Sequence, residues 1–328
     1  MQKIDKFKIN IINHDKTVGS SRLELNMTGK SLDYTIMNTL RRTIFTDIPI
    51  YAFTTFKFEK NTSVFNNNYI KLRLNLIPIW NIKNTITFFN KDKELENVFE
   101  DEDEDEDNEE YQDTQKTIDL NILNKLTMYI KYKNTTNEIV SVDTNHAKFY
   151  YGEKLIPSPY SMPVQIIKLQ PNQEIALSAI SDVGIEEQNA MFSAVSVCYY
   201  NLISENEFNF ILESRGQLME QRIIHVAIDN IIKRLENLLK LLETNTSKQE
   251  TLEGVININN EDHTLGNLIS RGMQQHQNIS FAGYNITHPL AKKVELHYKL
   301  KKLEDINNII KDVINYYTDI YTNIKKLI

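Results

Sequence analysis

The chain has 328 residues, a formal net charge of −7, 41% hydrophobic and 25% charged residues, a globular balance with room for about two domains. Nine glycines and one cysteine, Cys198, exclude a glycine-rich phosphate loop, an internal disulfide framework and a closed thiolate cluster. No apolar run of about 18 residues could span a membrane, and residues 1–16 lack a signal-peptide core; a cytoplasmic or nuclear protein, not a secreted one, is the expectation.

Residues 5–26 alternate at Phe7, Ile9, Ile11, Leu23 and Leu25, which predicts two strands around a polar turn. Ser31 is the expected N-cap of the next element. Leu32, Ile36, Leu40 and Ile44 then recur every fourth residue, an amphipathic helix ending before Pro49. Arg41 and Arg42 are expected to project off that stripe. From residue 51 to 185 the texture is strand-rich, with strands predicted at 54–58, 126–132 and 165–169. The prolines at 157, 159, 163 and 171 mark loops. Strand character resumes at 194–200 and 208–213.

Residues 94–110 hold twelve acidic residues and no basic one, so the rest of the chain carries about +5. Such a tract cannot bury apolar surface and reads as a solvated, disordered loop. Its D-x-D-x-D run at 101–105 imitates a magnesium triad, but two-metal chemistry needs carboxylates on a rigid frame. The Asn-x-Ser/Thr match at 61–63 reads as chance in so Asn-rich a chain.

A long helix is predicted over 217–243, its apolar face formed by Ile224, Ala227, Ile228, Ile231, Leu235, Leu238, Leu239 and Leu242. Residues 244–249 break the pattern and read as a linker. The remainder repeats the plan in miniature: a strand at 252–258, a helix at 263–275, strands at 279–282 and 294–300, and a closing helix at 303–328. That last helix carries Ile306, Ile310, Val313, Tyr317, Ile320, Ile324 and Leu327. Asp262 or His263 stands where an N-cap belongs. Gly266 inside a helix costs about 1 kcal/mol against Ala, so another element should approach closely there. Gly283–Tyr284 and His288–Pro289 are expected to shape turns. His263, His276, His288 and His297 lack metal-ligand spacing, and neither metal nor cofactor is expected.

Residues 38–44 and 263–269 look like two versions of one element, both reading Thr-Leu followed by Ile when Thr39 is set on Thr264. A chain carrying one half-fold twice can pair the halves with each other. Residues 38–49, 61–64, 69–78, 163–169 and 190–195 resemble the larger partner among the alpha-type assembly subunits of multisubunit DNA-dependent RNA polymerases. Residues 261–268 and 281–290 resemble the smaller partner. The resemblance implies an α+β fold in which two dimerisation halves form an intrachain pseudo-dimer. It divides the chain into a first dimerisation domain (1–50 and 187–244), an inserted β-rich domain (51–186), a linker (245–250) and a second dimerisation domain (251–328).

The dimerisation core expected from this arrangement is Ile36, Leu40, Ile44, Ile224, Ile228, Ile231, Leu235, Leu265, Leu268, Ile269, Ile310, Val313 and Tyr317. By the same resemblance Asn38, Arg41, Arg42, Arg73, His263 and Asn267 are candidates for docking a partner, because guanidinium forks suit carboxylates and carbonyls at interfaces. The implied function is a non-catalytic platform for the largest and second-largest polymerase subunits and a small subunit. One copy is expected per complex, not a homodimer, with DNA and RNA met only through the complex and no membrane. The Asn/Ile/Lys-rich composition fits a large DNA virus, which would add packaging in a virion. The alternative is a repurposed pseudo-dimer scaffolding another complex. Some larger-partner relatives carry a metal-binding cysteine cluster, which one cysteine cannot reproduce.

Overall fold

A computed structural model describes residues 5–17, 20–81, 125–244, 251–288 and 293–328. The acidic tract 94–110, the linker 245–250 and residues 289–290 lie outside them. The chain divides into two compact units, residues 1–48 with 194–328, and residues 49–193. No helix among the described residues is long and apolar enough to cross a membrane.

In the first unit, β1 (Lys8–Thr17), β2 (Ser20–Thr28), β10 (Val195–Ser204) and β11 (Glu207–Ser214) form an antiparallel sheet in the order β1-β2-β11-β10. Residues two apart share a strand face. The register therefore sets Leu23, Leu25 and Met27 opposite Leu212, Phe210 and Phe208, all buried. Helices α1 (Tyr34–Thr46) and α3 (Glu220–Thr244) pack on this sheet. The buried Glu220, in the first turn of α3, accepts a hydrogen bond from Ser21 Oγ and lies 3.3 Å from His14 Nε2, tying the helix start to the sheet.

The same unit holds a three-stranded antiparallel sheet, β12 (Glu253–Asn259), β14 (Lys293–Leu300) and β13 (Ile279–Asn285), with β14 central. Helix α4 (His263–Gln274) packs on it, and α5 (Ile306–Leu327) closes the chain. A Cβ added at Gly266 would lie 2.8 Å from the Tyr284 ring and 3.0 Å from Val294, so the absent side chain admits the sheet. Gly283 and Tyr284 sit inside β13 and shape no turn. They stay in the strand because Gly283 pairs with His297 and Tyr284 with Leu296.

Residues 49–193 form their own core. Five strands run in the order β3-β9-β4-β6-β7: β3 (Ile50–Asn61), β4 (Leu126–Lys133), β6 (Ala147–Tyr151), β7 (Lys154–Ile156) and β9 (Glu174–Gly184). A two-stranded ladder joins β5 (Val140–Asp143) to β8 (Gln165–Leu169). The expected strand texture overlooks one helix, α2 (Asn67–Leu76). Its signal is short: Asn66 Oδ1 accepts from the Tyr69 N–H at 2.8 Å as N-cap, Ile70 and Leu74 are the buried i,i+4 pair, and Pro78 follows the end. Both join the cluster that holds Phe53, Met128, Phe149, Leu177 and Trp80, the sole tryptophan of the chain.

Removing the Leu74 side chain leaves a cavity in that cluster. Leu74→Ala is expected to lower stability by about 2–5 kcal/mol, read as a lower denaturant midpoint for Trp80 emission. A change below about 0.5 kcal/mol, the size of an ordinary surface substitution, would show that α2 is not seated there.

Candidate functional site: the intrachain helix interface

The N-caps set the geometry. Asp33 accepts from the Ile36 N–H at 3.0 Å to start α1, and Asp262 accepts from the Thr264 N–H at 2.9 Å to start α4. Ser31 is not the cap of α1: it lies two residues before Asp33, and its hydroxyl accepts instead from the Asp5 N–H at 2.9 Å. Setting Asp33 on Asp262 superposes Thr35 on Thr264, Asn38 on Asn267 and Arg42 on Arg271. The pairing of Thr39 with Thr264 read from sequence is therefore four residues out of step. A four-residue slip brings nearly the same helix face round again, so the apolar pattern alone does not detect it.

In the cap-based register the contacts between the helices are reciprocal. Arg42 of α1 donates from Nε to Thr264 Oγ1 at 2.8 Å, and its Nη2 lies 3.6 Å from Asp262. Arg271 of α4 reaches Asp33 at 3.7 Å. Residue i meets residue j in one direction and their equivalents meet in the other, the pattern of a self-complementary two-fold interface within one chain. Beneath these pairs lies the apolar seam. Ile36, Leu40 and Ile44 on α1, Ile224, Ile228, Ile231 and Leu235 on α3, Leu265, Leu268 and Ile269 on α4, and Ile310, Val313 and Tyr317 on α5 are each at most 3% exposed. Helix α3 packs on α1 and α5, and α4 packs on α1 and α5.

The two ends of this pseudo-symmetric unit differ in chemistry. At one end Arg234 of α3, 15% exposed, meets three carboxylates: Asp47 at 3.2 Å, Glu261 at 3.1 Å through Nε, and Asp262 at 2.8 Å. Asn230 Nδ2 donates to the Asp47 carbonyl at 2.7 Å, one helical turn away. Burial disfavours the Arg234 charge, but Glu261, Asp262 and Asp47 outweigh it and raise its pKa. Burial likewise pushes Asp262 up, and the charge and hydrogen bond of Arg234, with those from Thr264, overcome it and hold the carboxyl at about 2.

At the other end Asp33 is faced by phenols. Burial raises the pKa of Tyr316, Tyr317 and Tyr321, and the Asp33 charge adds to each rise. Tyr321 Oη donates to the Ile36 carbonyl at 3.3 Å, from α5 to α1. Gly272 of α4 makes room there, since a Cβ on it would lie 2.5 Å from Val313 and 2.7 Å from the Tyr317 ring. Lys325 pairs with Asp229, and Gln221 Nε2 donates to the Ile328 carbonyl at 3.4 Å, which runs α5 antiparallel to α3. Gly272 and Arg234 are positions of this interface that reading the sequence missed.

Comparison with known proteins places the chain in a family. Residues 28–235 match the model of the RNA polymerase Rpb3/Rpb11 dimerisation domain, and residues 253–327 match a second model of that description. The chain belongs to the Rpb3/Rpb11 dimerisation-domain family. A protein of Acanthamoeba polyphaga mimivirus named "Putative DNA directed RNA polymerase subunit R470" is 26% identical over 329 residues, covering 93% of this chain and 90% of that protein. Eukaryotic relatives are matched over part of their length. DNA-directed RNA polymerase II subunit rpb3 of Dictyostelium discoideum is 24% identical across 51% of this chain and 50% of its own. DNA-directed RNA polymerases I and III subunit RPAC2 of Danio rerio is 32% identical across 19% of this chain and 56% of its own. The chain thus carries two Rpb3/Rpb11-type domains in tandem.

Within this family fold the docking candidates fall in different places. Arg41 is held by its own helix, Nε and Nη2 donating to Asn38 Oδ1 at 3.1 and 2.9 Å. Its charge also opposes the burial that pushes the Cys198 thiol up to about 12, which leaves that thiol unreactive at neutral pH. Arg42, expected to face outward with Arg41, instead turns to Thr264 and Asp262 in the other half. Successive helical residues point about 100° apart, so neighbours seldom share a face. His263 is exposed with Nδ1 at 3.3 Å from Tyr284 Oη, and Asn267 is half-buried on α4. Arg73 belongs to the 49–193 unit, where Nη2 donates to the Gln165 carbonyl at 3.0 Å. No group of three or more His, Cys, Asp or Glu among the described residues is arranged to hold a metal.

Two measurements probe the charged end. Truncating one member of a buried ion-pair set strands the others, so Arg234→Ala should cost about 3–5 kcal/mol in denaturant unfolding. The folded-state pKa of Asp262 lies at about 2, below its ordinary 3.8. Its stabilisation is therefore complete above pH 3.8 and disappears as pH falls toward 2. Asp262→Asn keeps a capping acceptor but not the charge, so its stability should fall less over that window than that of the unaltered chain. Parallel pH profiles for the two proteins would overturn this assignment.

Proposed function

We propose that this chain is the non-catalytic assembly platform of a DNA-dependent RNA polymerase, with the two dimerisation partners fused into one polypeptide. The observation that carries the reading is the reciprocal Arg42–Asp262 and Arg271–Asp33 crossing between two family domains of a single chain. A seam so buried has no free face for a second copy, which favours one chain per complex. The relatives bear polymerase-subunit names, and the one covering nearly the whole chain comes from a giant virus, which supports a place in viral transcription in the host cell and in the virion.

The catalytic chemistry of such an enzyme belongs to its other subunits. In this reading the largest and second-largest subunits dock on the outward surface of the internal pair, and a small subunit completes the assembly. Nucleic acid is then met only through the complex. Arg41, clamped by Asn38 and not paired with an acid among the described residues, is the residue we assign to a carboxylate or carbonyl of a large subunit. Asn38, Asn267 and His263 lie on the same two helices and are proposed to extend that contact.

Affinity purification of the tagged full-length chain from its native setting tests the proposal. The two largest polymerase subunits should co-purify in equal amounts with it, and Arg41→Glu should reduce recovery of one of them at least tenfold with an unchanged melting midpoint. Companions from an unrelated complex would favour a repurposed scaffold. RNA synthesis by the purified chain with template, nucleotides and magnesium alone would refute the non-catalytic assignment.

A further inference from the structure

The five-stranded sheet of the 49–193 unit buries one face in the cluster around Phe53, Met128 and Leu177 and turns the other outward. Alternation puts every second residue of a strand on that outward face. The register lines up Lys57 of β3, Ser178 of β9, Tyr129 of β4 and Lys148 of β6 in one row across four strands. The next row sets Lys60, Ala176 and Lys131 side by side, and the one after it sets Lys133 beside Glu174. Lys57, Lys131, Lys133 and Lys148 are all exposed. At about 5 Å between strands and about 7 Å between alternate residues of a strand, they stand within about 17 Å of one another.

The carboxylates of this face do not answer those four lysines. Glu174 is taken by Lys60 at 2.9 Å and Asp182 by Lys125 at 3.1 Å. Glu59 stands in the bulge of the edge strand β3, and Glu153 in the turn between β6 and β7. Among the described residues, Lys57, Lys131, Lys133 and Lys148 form no ion pair. Glu174 records what an acid meets here. A hydrogen bond from Lys60, with the charges of Lys60, Lys133 and Lys131, holds its carboxyl below the usual carboxylate range. A further carboxylate brought to the face enters the same field, and its arrival relieves the mutual repulsion of the lysines.

The chain carries its own source of such groups. Residues 94–110 hold twelve acidic residues and no basic one, nine of them within 101–110. The tract lies between Asn81 and Lys125, and Lys125 directly precedes β4, the strand that bears Tyr129, Lys131 and Lys133. The 13 residues from Asn81 to Glu94 and the 15 from Glu110 to Lys125 each reach about 40 Å or more when extended. Five strands measure only about 20 Å across. We infer that the acidic tract 94–110 is the occupant of the Lys57–Lys131–Lys133–Lys148 face and shields it from other polyanions. Tethering holds the tract there at an effective concentration near millimolar. Lysines are flexible, strongly hydrated point charges, so the contact is a salt-sensitive one without fixed geometry. Tyr129 and Tyr150, 5.5 Å apart on the same face, would with the bare lysines suit a single-stranded nucleic acid. The tract excludes that competitor by being already in place. This inference is independent of the assembly role, because all of it is read on the isolated chain.

Zero-length carbodiimide cross-linking of the purified full-length chain tests the contact. Peptides from 94–110 should be joined to Lys57, Lys131, Lys133 or Lys148, with a yield unchanged on tenfold dilution and lost in about 1 M salt, where screening acts within about 3 Å. Cross-links spread evenly over lysines elsewhere in the chain, or a yield that falls on dilution, overturn the inference. A labelled single-stranded oligonucleotide of mixed sequence tests the shielding. Replacing every Asp by Asn and every Glu by Gln within 101–110 should tighten its binding at least tenfold. Adding Lys57→Gln, Lys131→Gln and Lys148→Gln should remove that gain. Equal binding by the unaltered and the neutralised chain overturns the shielding, and equal tight binding lost with the lysine changes reassigns the face to nucleic acid. Should the lysine variant fold poorly by circular dichroism, the cross-linking decides, since it uses the unaltered chain.

Discussion

Two aspartates each do two jobs, and the dimerisation unit depends on it. Asp33 and Asp262 start their own helices by accepting an N–H of the first turn, and each also receives the arginine of the opposite helix. Negative charge is favoured at a helix N-terminus in any case. Here it fixes where each helix begins and where the two helices cross with the same atoms. The energy comes from elsewhere, since exposed ion pairs contribute about 0–1 kcal/mol each while a fully buried Ile or Leu contributes about 1.5–3 kcal/mol. The apolar seam holds the halves together and the arginine–aspartate pairs choose the register.

The departure from two-fold symmetry carries its own information. A perfectly symmetric unit would place the same groups at both ends, but Arg234 with three carboxylates occupies one end and three tyrosines with Gly272 occupy the other. An arginine that answers Glu261 finds leucine at the equivalent position of the first half, Leu32. Pairing a half with its own kind would therefore leave part of this network unanswered. Discrimination of that sort comes as much from what the wrong partner lacks as from what the right one supplies.

What the sequence made legible follows from the range of the interactions. The seam of α1 and α5 repeats every three or four residues, so local periodicity exposes it, and the strand pairs of the first unit alternate cleanly enough to be read. The cap of α1 was misplaced because Ser31 and Asp33 are both good acceptors, and only the fold shows that Asp5 takes the former. Helix α2 escaped notice because only Ile70 and Leu74 mark its buried side, too little for a periodic signal. The Arg234 cluster draws on Asp47, far away along the chain, and no local pattern joins them. The family motifs pointed to both halves, but their mutual register waited on the caps.

Carrying both domains on one chain explains why these modest charge pairs suffice. Two separate chains would have to meet an association cost of about 4–15 kcal/mol before any net affinity appeared. The residues between the end of α3 at Thr244 and the start of β12 at Glu253 can reach about 25 Å when extended, and a short tether of that kind holds the halves at an effective concentration near millimolar. Pairing within the chain then outcompetes pairing between chains at any ordinary protein concentration. The interface is relieved of the need for great affinity, and what it must still supply is orientation. Reciprocal aspartates and one asymmetric arginine cluster do that, because each is satisfied in a single arrangement of the helices.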